Sequence, residues 1–114
     1  MSKKIKIVIK RVDRPFELVE VDNDLKTLQE IVGGYIEIIY QFPNNLLLVA
    51  DEEGTLKGKK INLVKSSNIT LGVGDMFLVN QRAGNFASLT KTQIDSIKRI
   101  FKADIVDPSV IRKE

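Results

Sequence analysis

Residues 24–42 read DLKTLQEIVGGYIEIIYQF, and the change of period inside this stretch decides the fold class. Leu25, Leu28, Ile31 and Val32 recur at helical spacing, with Asn23 or Asp24 placed to cap the first free amides. Gly33-Gly34 stops that helix, because the residue after a helix end often adopts a left-handed conformation that glycine takes without strain. From Tyr35 to Phe42 the chain turns β-branched and aromatic, which predicts a strand.

Towards the N-terminus, Lys4–Val12 alternate, with Ile5, Ile7 and Ile9 on one side and Lys4, Lys6 and Lys10 on the other, as in a half-buried strand. A turn at Asp13-Arg14-Pro15 leads into a second strand, Phe16–Val21, antiparallel to the first. Towards the C-terminus, Pro43-Asn44-Asn45 turns the chain into Leu46–Ala50, a continuous apolar run expected to be a central strand buried on both faces. Asp51-Glu52-Glu53-Gly54 reads as a hairpin tip. Leu56–Val64 has weaker strand character broken by Gly58, and Ser66-Ser67-Asn68 is polar loop. Ile69–Leu71 and Met76–Gln81 flank Gly72-Val73-Gly74-Asp75, a bulge or tight bend within a sheet. After a turn at Arg82-Ala83-Gly84-Asn85 and a short strand, Phe86–Leu89, Thr90 and Gln93 form a capping-box signature. Ile94, Ile97, Ile100 and Phe101 make the buried stripe of the helix that follows.

Two helices among six or seven strands predict an α+β fold: a mostly antiparallel sheet of about six strands with two helices packed on it. Residues 1–103 read as one domain, and 104–114, which include Pro108, as a loosely docked tail. The structural turns and caps are expected at Gly33, Gly34, Gly54, Gly74 and Asp75.

The chain of 114 residues contains neither cysteine nor histidine. Disulfides, thiolate ligands and imidazole-based triads are therefore excluded within it, and no catalytic residue, metal site or cofactor is expected. There is no run of the roughly 20 apolar residues that span a bilayer, and MSKKIKIVIKR lacks the features of a signal peptide, so a cytoplasmic setting without membrane contact is expected. The net charge of +3 hides a division into a basic 1–14, an acidic 17–53 and a basic 54–84. Such blocks can pair within the fold, steer a partner or simply be solvated.

Four constellations could carry chemistry. Gly72-x-Gly74 is followed by a strand-like segment, where a phosphate loop needs a helix, so it reads as a bend. Asp51, Glu52 and Glu53 are adjacent rather than alternating, which suits a solvated tip better than a cation site. Lys57, Lys59 and Lys60 could neutralise phosphates, but arginine and free aromatic platforms are scarce, and lysines also guard edge strands. Gly33-Gly34-Tyr35 could bring a ligand close to backbone, or could simply end a helix.

DLKTLQEIVGGYIE at 24–37, LLLVADEEGTLKGKKIN at 46–62, GDMFLV at 74–79 and FASLTKTQI at 86–94 together resemble a phage and mobile-element family, domain of unknown function 3846. The resemblance covers about residues 4–101 and is carried by Leu25, Leu28, Gln29 and Val32–Glu37, then Glu52, Glu53, Gly54, Leu56, Gly58 and Asn62, then Gly74, Phe77, Phe86, Ser88 and Leu89. It implies a phage, prophage or plasmid accessory gene expressed in a bacterial cytoplasm, and it brings no catalytic residues. Lys57-Gly58-Lys59-Lys60-Ile61-Asn62 departs from the family pattern, which tends to Asn-Gly followed by apolar residues or proline; a functional surface there would lean towards acidic partners.

The favoured expectation is a non-enzymatic accessory protein that binds a host partner: a protein, a defence component or a small nucleotide signal. Its binding residues would be Glu52, Glu53, Lys57, Lys59, Lys60 and Asn62 around the 51–62 hairpin, with Tyr35 beside them. Nucleic-acid binding is the alternative, and an enzyme of another type comes third. Oligomeric state stays open.

Overall fold

A computed structural model describes residues 3–65 and 69–107. Among them run β1 (Lys4–Lys10), β2 (Phe16–Asp22), α1 (Leu25–Val32), β3 (Ile36–Phe42), β4 (Leu46–Asp51), β5 (Ile61–Lys65), β6 (Ile69–Val73), β7 (Met76–Arg82), β8 (Asn85–Ala87), α2 (Lys91–Phe101) and β9 (Ile105–Val106). The fold is α+β, as the sequence predicts. Its main sheet has the order β3-β4-β7-β1-β2-β9, with β8 paired to β7, while β5 and β6 form a separate ribbon. Among the described residues only the β2–β9 pairing is parallel. Among the described residues no helix is long and apolar enough to cross a membrane.

Leu46–Asp51 is buried at every position, and it lies between β3 and β7 as a run apolar on both faces requires. Alternation along β4 divides the core in two. Leu46, Leu48 and Ala50 join Val8, Met76 and Leu78 under Ile97 of α2 and Leu63 of the ribbon. Leu47 and Val49 join Ile5, Ile7, Ile9, Phe77 and Val79 under Leu28 and Val32 of α1. The helices thus pack on opposite faces of one sheet. β1 is less one-sided than its lysines suggest, since Val8, between Lys6 and Lys10, is fully buried.

Asp24 is the cap of α1, its Oδ1 accepting from the Thr27 amide at 2.8 Å. At the other end the amides of Gly33 and Gly34 both donate to the Gln29 carbonyl. Both bonds fall on one carbonyl of the last turn, which closes the helix end.

Two expectations are corrected. Residues 51–62 are not a hairpin: Asp51 ends a strand of the main sheet, residues 52–58 coil into turns, and strand structure resumes only at Ile61, in the ribbon. The coil arises because the Lys57 amide donates to Glu53, and the Gly58 and Lys59 amides close onto Thr55 and Gly54, with Gly58 at φ 70°. Gly72–Asp75 does not lie within one sheet: the register of β6 against β5 is irregular around Gly72, β6 extends to Val73, and the tight bend at Gly74-Asp75 carries the chain from the ribbon into β7. The segment after α2 is tied down at its start, where Ile105 and Val106 pair with Phe16 and Glu17. The expected loop at Ser66-Ser67-Asn68 and the tail from Pro108 onward lie outside the described residues.

Candidate functional site

The two buried core faces bring Asp51 beneath the C-terminal end of α1. Its register partner across the sheet edge is Ile36, and the Glu52 amide continues that pairing to the Tyr35 carbonyl at 2.8 Å. The Asp51 side chain is only 1% exposed. An isolated carboxylate there would be costly, so partners have to be supplied. The coiled 52–58 segment supplies them. Lys57 Nζ and Lys59 Nζ each lie 2.8 Å from Asp51 Oδ2, and the Glu53 amide donates to Oδ1 at 2.9 Å.

Both lysines also finish the helix. Lys59 Nζ donates to the Val32 carbonyl at 2.7 Å and Lys57 Nζ to the Gly33 carbonyl at 3.2 Å, which sets positive charge at the negative end of α1. Burial alone would raise the Asp51 carboxyl. The hydrogen bonds from Lys57, Lys59 and the Glu53 amide outweigh it and hold the group well below the usual carboxylate range. The same hydrogen bond raises the Lys57 ammonium.

Two glycines make room for the cluster. A Cβ on Gly34 would come within 2.6 Å of all three carboxyl atoms of Asp51, so that position tolerates no side chain without displacing the ion pair. At Gly74, φ is 75° and a Cβ would meet Lys59 Cδ at 2.6 Å. The GGY and GD pieces of the sequence therefore act around a carboxylate that sequence reasoning had assigned to a solvated tip. A signal was present: an acid ending a fully apolar strand, with lysines six and eight residues on.

Asn62 is committed as well. Its Nδ2 donates to the carbonyls of Lys10 and Gly74, and its Oδ1 accepts from Lys10 Nζ at 2.8 Å, so it bonds the ribbon to β1 and to the 74–75 turn. Burial lowers the Lys10 ammonium, against the pull of Asp13 and Asp75. Asp75 Oδ1 accepts from the Val12 amide at 2.9 Å. Of the residues expected to bind a partner, Glu52, Glu53, Lys57 and Lys60 are exposed, as is Tyr35 at 68%. Lys60 makes no ion pair among the described residues.

Beside the cluster opens a cleft of about 350 Å³ lined by Val12, Glu30, Ile31, Val32, Gly33, Lys59, Lys60, Gly74 and Asp75. It gathers residues from four separate segments. Apolar side chains form much of its wall, and Lys60, Glu30 and Asp75 place charge of both signs around it. Such a hollow can hold an apolar body and orient one charged group. Val12, Glu30 and Ile31 had no mark in the sequence as site residues. Glu52 lies elsewhere, in a smaller cleft of about 240 Å³ with Glu37, Ile39 and Thr70. A third cleft, about 420 Å³, sits at the far end of the sheet between the Asn44-Asn45 and Ala83-Gly84 turns.

No curated protein and no solved structure matches the chain. A family model does match, over residues 5–102, and its span holds the Gly33-Gly34 stop, the Asp51 cluster and the turn at Gly74 in one piece. The chain belongs to the family described as Domain of unknown function (DUF3846).

Proposed function

We propose that this domain is a non-enzymatic accessory protein of a phage or mobile element, working in a bacterial cytoplasm by binding a host component through the cleft beside the Asp51 cluster. The supporting observation is the convergence of segments 12, 30–33, 59–60 and 74–75 on one half-apolar hollow with an uncommitted cation at its rim. Lys57 and Lys59 are committed to Asp51 and to the carbonyls that end α1. What remains for a ligand is Lys60, the apolar wall and two carboxylates. A host protein segment or a small nucleotide signal, carrying an apolar or aromatic body and an anionic group for Lys60, suits that arrangement.

Nucleic-acid binding draws less support. Among the described residues Lys4 pairs with Asp22, Arg11 with Glu17, and Lys57 and Lys59 with Asp51, so these cations, unlike Lys60, are already committed to carboxylates rather than open to a phosphate backbone.

Lys60→Glu is the test. Tagged wild-type and variant chains are used to capture partners from host lysate and from a nucleotide extract, and the identified partner is titrated by calorimetry. The expected result is at least tenfold weaker binding with an unchanged melting temperature. Capture that survives the charge reversal intact assigns the wrong surface, and many turnovers of any substrate per chain would overturn the non-enzymatic reading.

A further inference from the structure

The face of the sheet that packs under α2 changes character along β7. Met76 and Leu78 belong to its apolar core. Alternation puts Asn80 and Arg82 on the same face, so the apolar row ends in an amide and a guanidinium. Asn80 is 7% exposed and bonded to Gln93 of α2. Arg82 closes the strand, exposed, and makes no ion pair among the described residues. Beside it opens the 420 Å³ cleft, with the buried Asn80 and Gln93 as its floor. Two tight turns make the walls. Asn44 and Asn45, at φ 70° and 60°, join β3 to β4, and Ala83 and Gly84, at φ 52° and 81°, join β7 to β8. The Gln81 amide donates to the Asn45 carbonyl at 3.0 Å and ties one turn to the other. Backbone bonding thus sets the frame before any ligand arrives. Apart from Ala83 and Gly84, every residue lining the cleft carries an amide, a hydroxyl or a guanidinium, and none carries a carboxylate. The side chains of Asn44 and Asn45 make no hydrogen bond among the described residues.

We propose that this cleft binds a sugar bearing one anionic group, phosphate or carboxylate, with Arg82 taking the anion and the side-chain amides taking the hydroxyls. A guanidinium offers a planar fork of donors that matches either oxyanion. A side-chain amide carries a donor and an acceptor side by side, as neighbouring hydroxyls require. An aromatic or aliphatic body finds no wall here, in contrast to the Lys60 cleft. The anion is not assigned to the start of α2, because the Thr90 and Gln93 amides are closed within the capping box. This cleft stands at the Leu46 end of β4, and the Lys60 cleft lies near its Asp51 end, so the two proposals are independent.

The test titrates the isotope-labelled full chain with four probes and follows its amide signals by NMR. The probes are glucose phosphorylated on its primary hydroxyl, glucuronate, glucose itself and inorganic phosphate. At least one of the two anionic sugars should bind tenfold or more tighter than both glucose and inorganic phosphate, and the tighter of the two identifies the oxyanion. The shifts should centre on Asn44, Asn45, Arg82, Gly84 and Thr90. Arg82→Gln should weaken that binding tenfold or more. Asn44→Gly, which keeps the left-handed turn and removes only the side-chain amide, should weaken it several-fold. Both variants should keep the melting temperature of the wild type, and Lys60→Glu should leave the binding unchanged. Binding of neither anionic sugar, or equal binding of glucose or inorganic phosphate, would overturn the proposal. So would shifts centred elsewhere, affinity that survives Arg82→Gln, or loss with Lys60→Glu.

Discussion

At the C-terminal end of α1, a buried carboxylate meets two ammonium groups; at the N-terminal end of α2, a buried network of equal reach contains no charge at all. In the second, Gln93 is 2% exposed and donates from Nε2 to the Asn44 carbonyl and to Asn80 Oδ1, both at 2.8 Å. Asn80 in turn donates to the Ser88 carbonyl. Each cluster fastens a helix end to the sheet, and no buried side-chain polar atom among the described residues lacks a partner. The difference lies in what carries the partners. Gln93 and Asn80 stand on regular elements whose backbones are already placed, so short neutral side chains suffice. Lys57 and Lys59 stand on a coil, and their long stems reach the carboxylate while their side chains stay 40% and 23% exposed. Partial solvation of the cations reduces the desolvation cost that makes fully buried ion pairs poor stabilisers. The neutral cluster joins finished elements. The charged one also shapes the coil that supplies it.

That contrast predicts its largest effect at Asp51. Asp51→Ala leaves two converged ammonium groups without their anion and removes the acceptor of the Glu53 amide, and it should cost about 4 kcal/mol at pH 7 by urea unfolding. The cost should depend on pH. Because the folded carboxyl is held below its unfolded value, its contribution is full above the unfolded pKa of about 3.9 and fades as pH falls through that value towards the folded one. The gap between wild type and Asp51→Ala should therefore be narrower at pH 3 than at pH 7. A gap that stays constant would mean that Asp51 acts through packing alone, and the distinction between the two clusters would fail.

Gln93→Ala is the matching cut on the neutral side. It strands Asn80 Oδ1 and the Asn44 carbonyl and opens space against the neighbouring cleft, for an expected loss of about 3 kcal/mol. None of the groups bonded in this network is ionisable, so the gap to wild type should be the same at pH 3 and pH 7. A strong pH dependence would show that the α2 end is also held by charge.

The neutral cluster was half legible in the sequence, the charged one hardly at all. Thr90-x-x-Gln93 announces a capping box through local spacing, and the box forms. The second use of Gln93, across 49 residues to Asn44, leaves no local trace. The same limit explains the rest. Helix periods, the Gly33 stop and the apolar run of β4 are periodic or adjacent features, and they are found where the pattern puts them. Leu25 of the α1 stripe is nonetheless exposed, and Ile94, Ile100 and Phe101 of the α2 stripe are only half-buried. Asp51 was grouped with Glu52 and Glu53 because the three are neighbours in sequence. Alternation buries the first, and only the later course of the coil brings lysines to it. Lys57, Lys59 and Asn62 looked free for the same reason: their partners are Asp51, the end of α1, Lys10 and Gly74.

The smallest expected effect falls where local and long-range bonding meet. Thr90 Oγ1 accepts from the Gln93 amide at 3.1 Å, and Gln93 Oε1 accepts from the Thr90 amide at 2.9 Å. Thr90→Ala removes one of these bonds but leaves the Gln93 side chain tethered to Asn44 and Asn80, so the loss should stay near 1 kcal/mol, the usual cost of a missing cap. In the double variant with Gln93→Ala, the hydroxyl no longer has a preset side chain to cooperate with, and the combined loss should fall short of the sum by about 0.5 kcal/mol or more. Strict additivity would mean that the capping box and the buried network merely share a residue. Sub-additivity would make Gln93 the point through which the sheet sets the start of α2, a neutral counterpart to what Asp51 does at the end of α1.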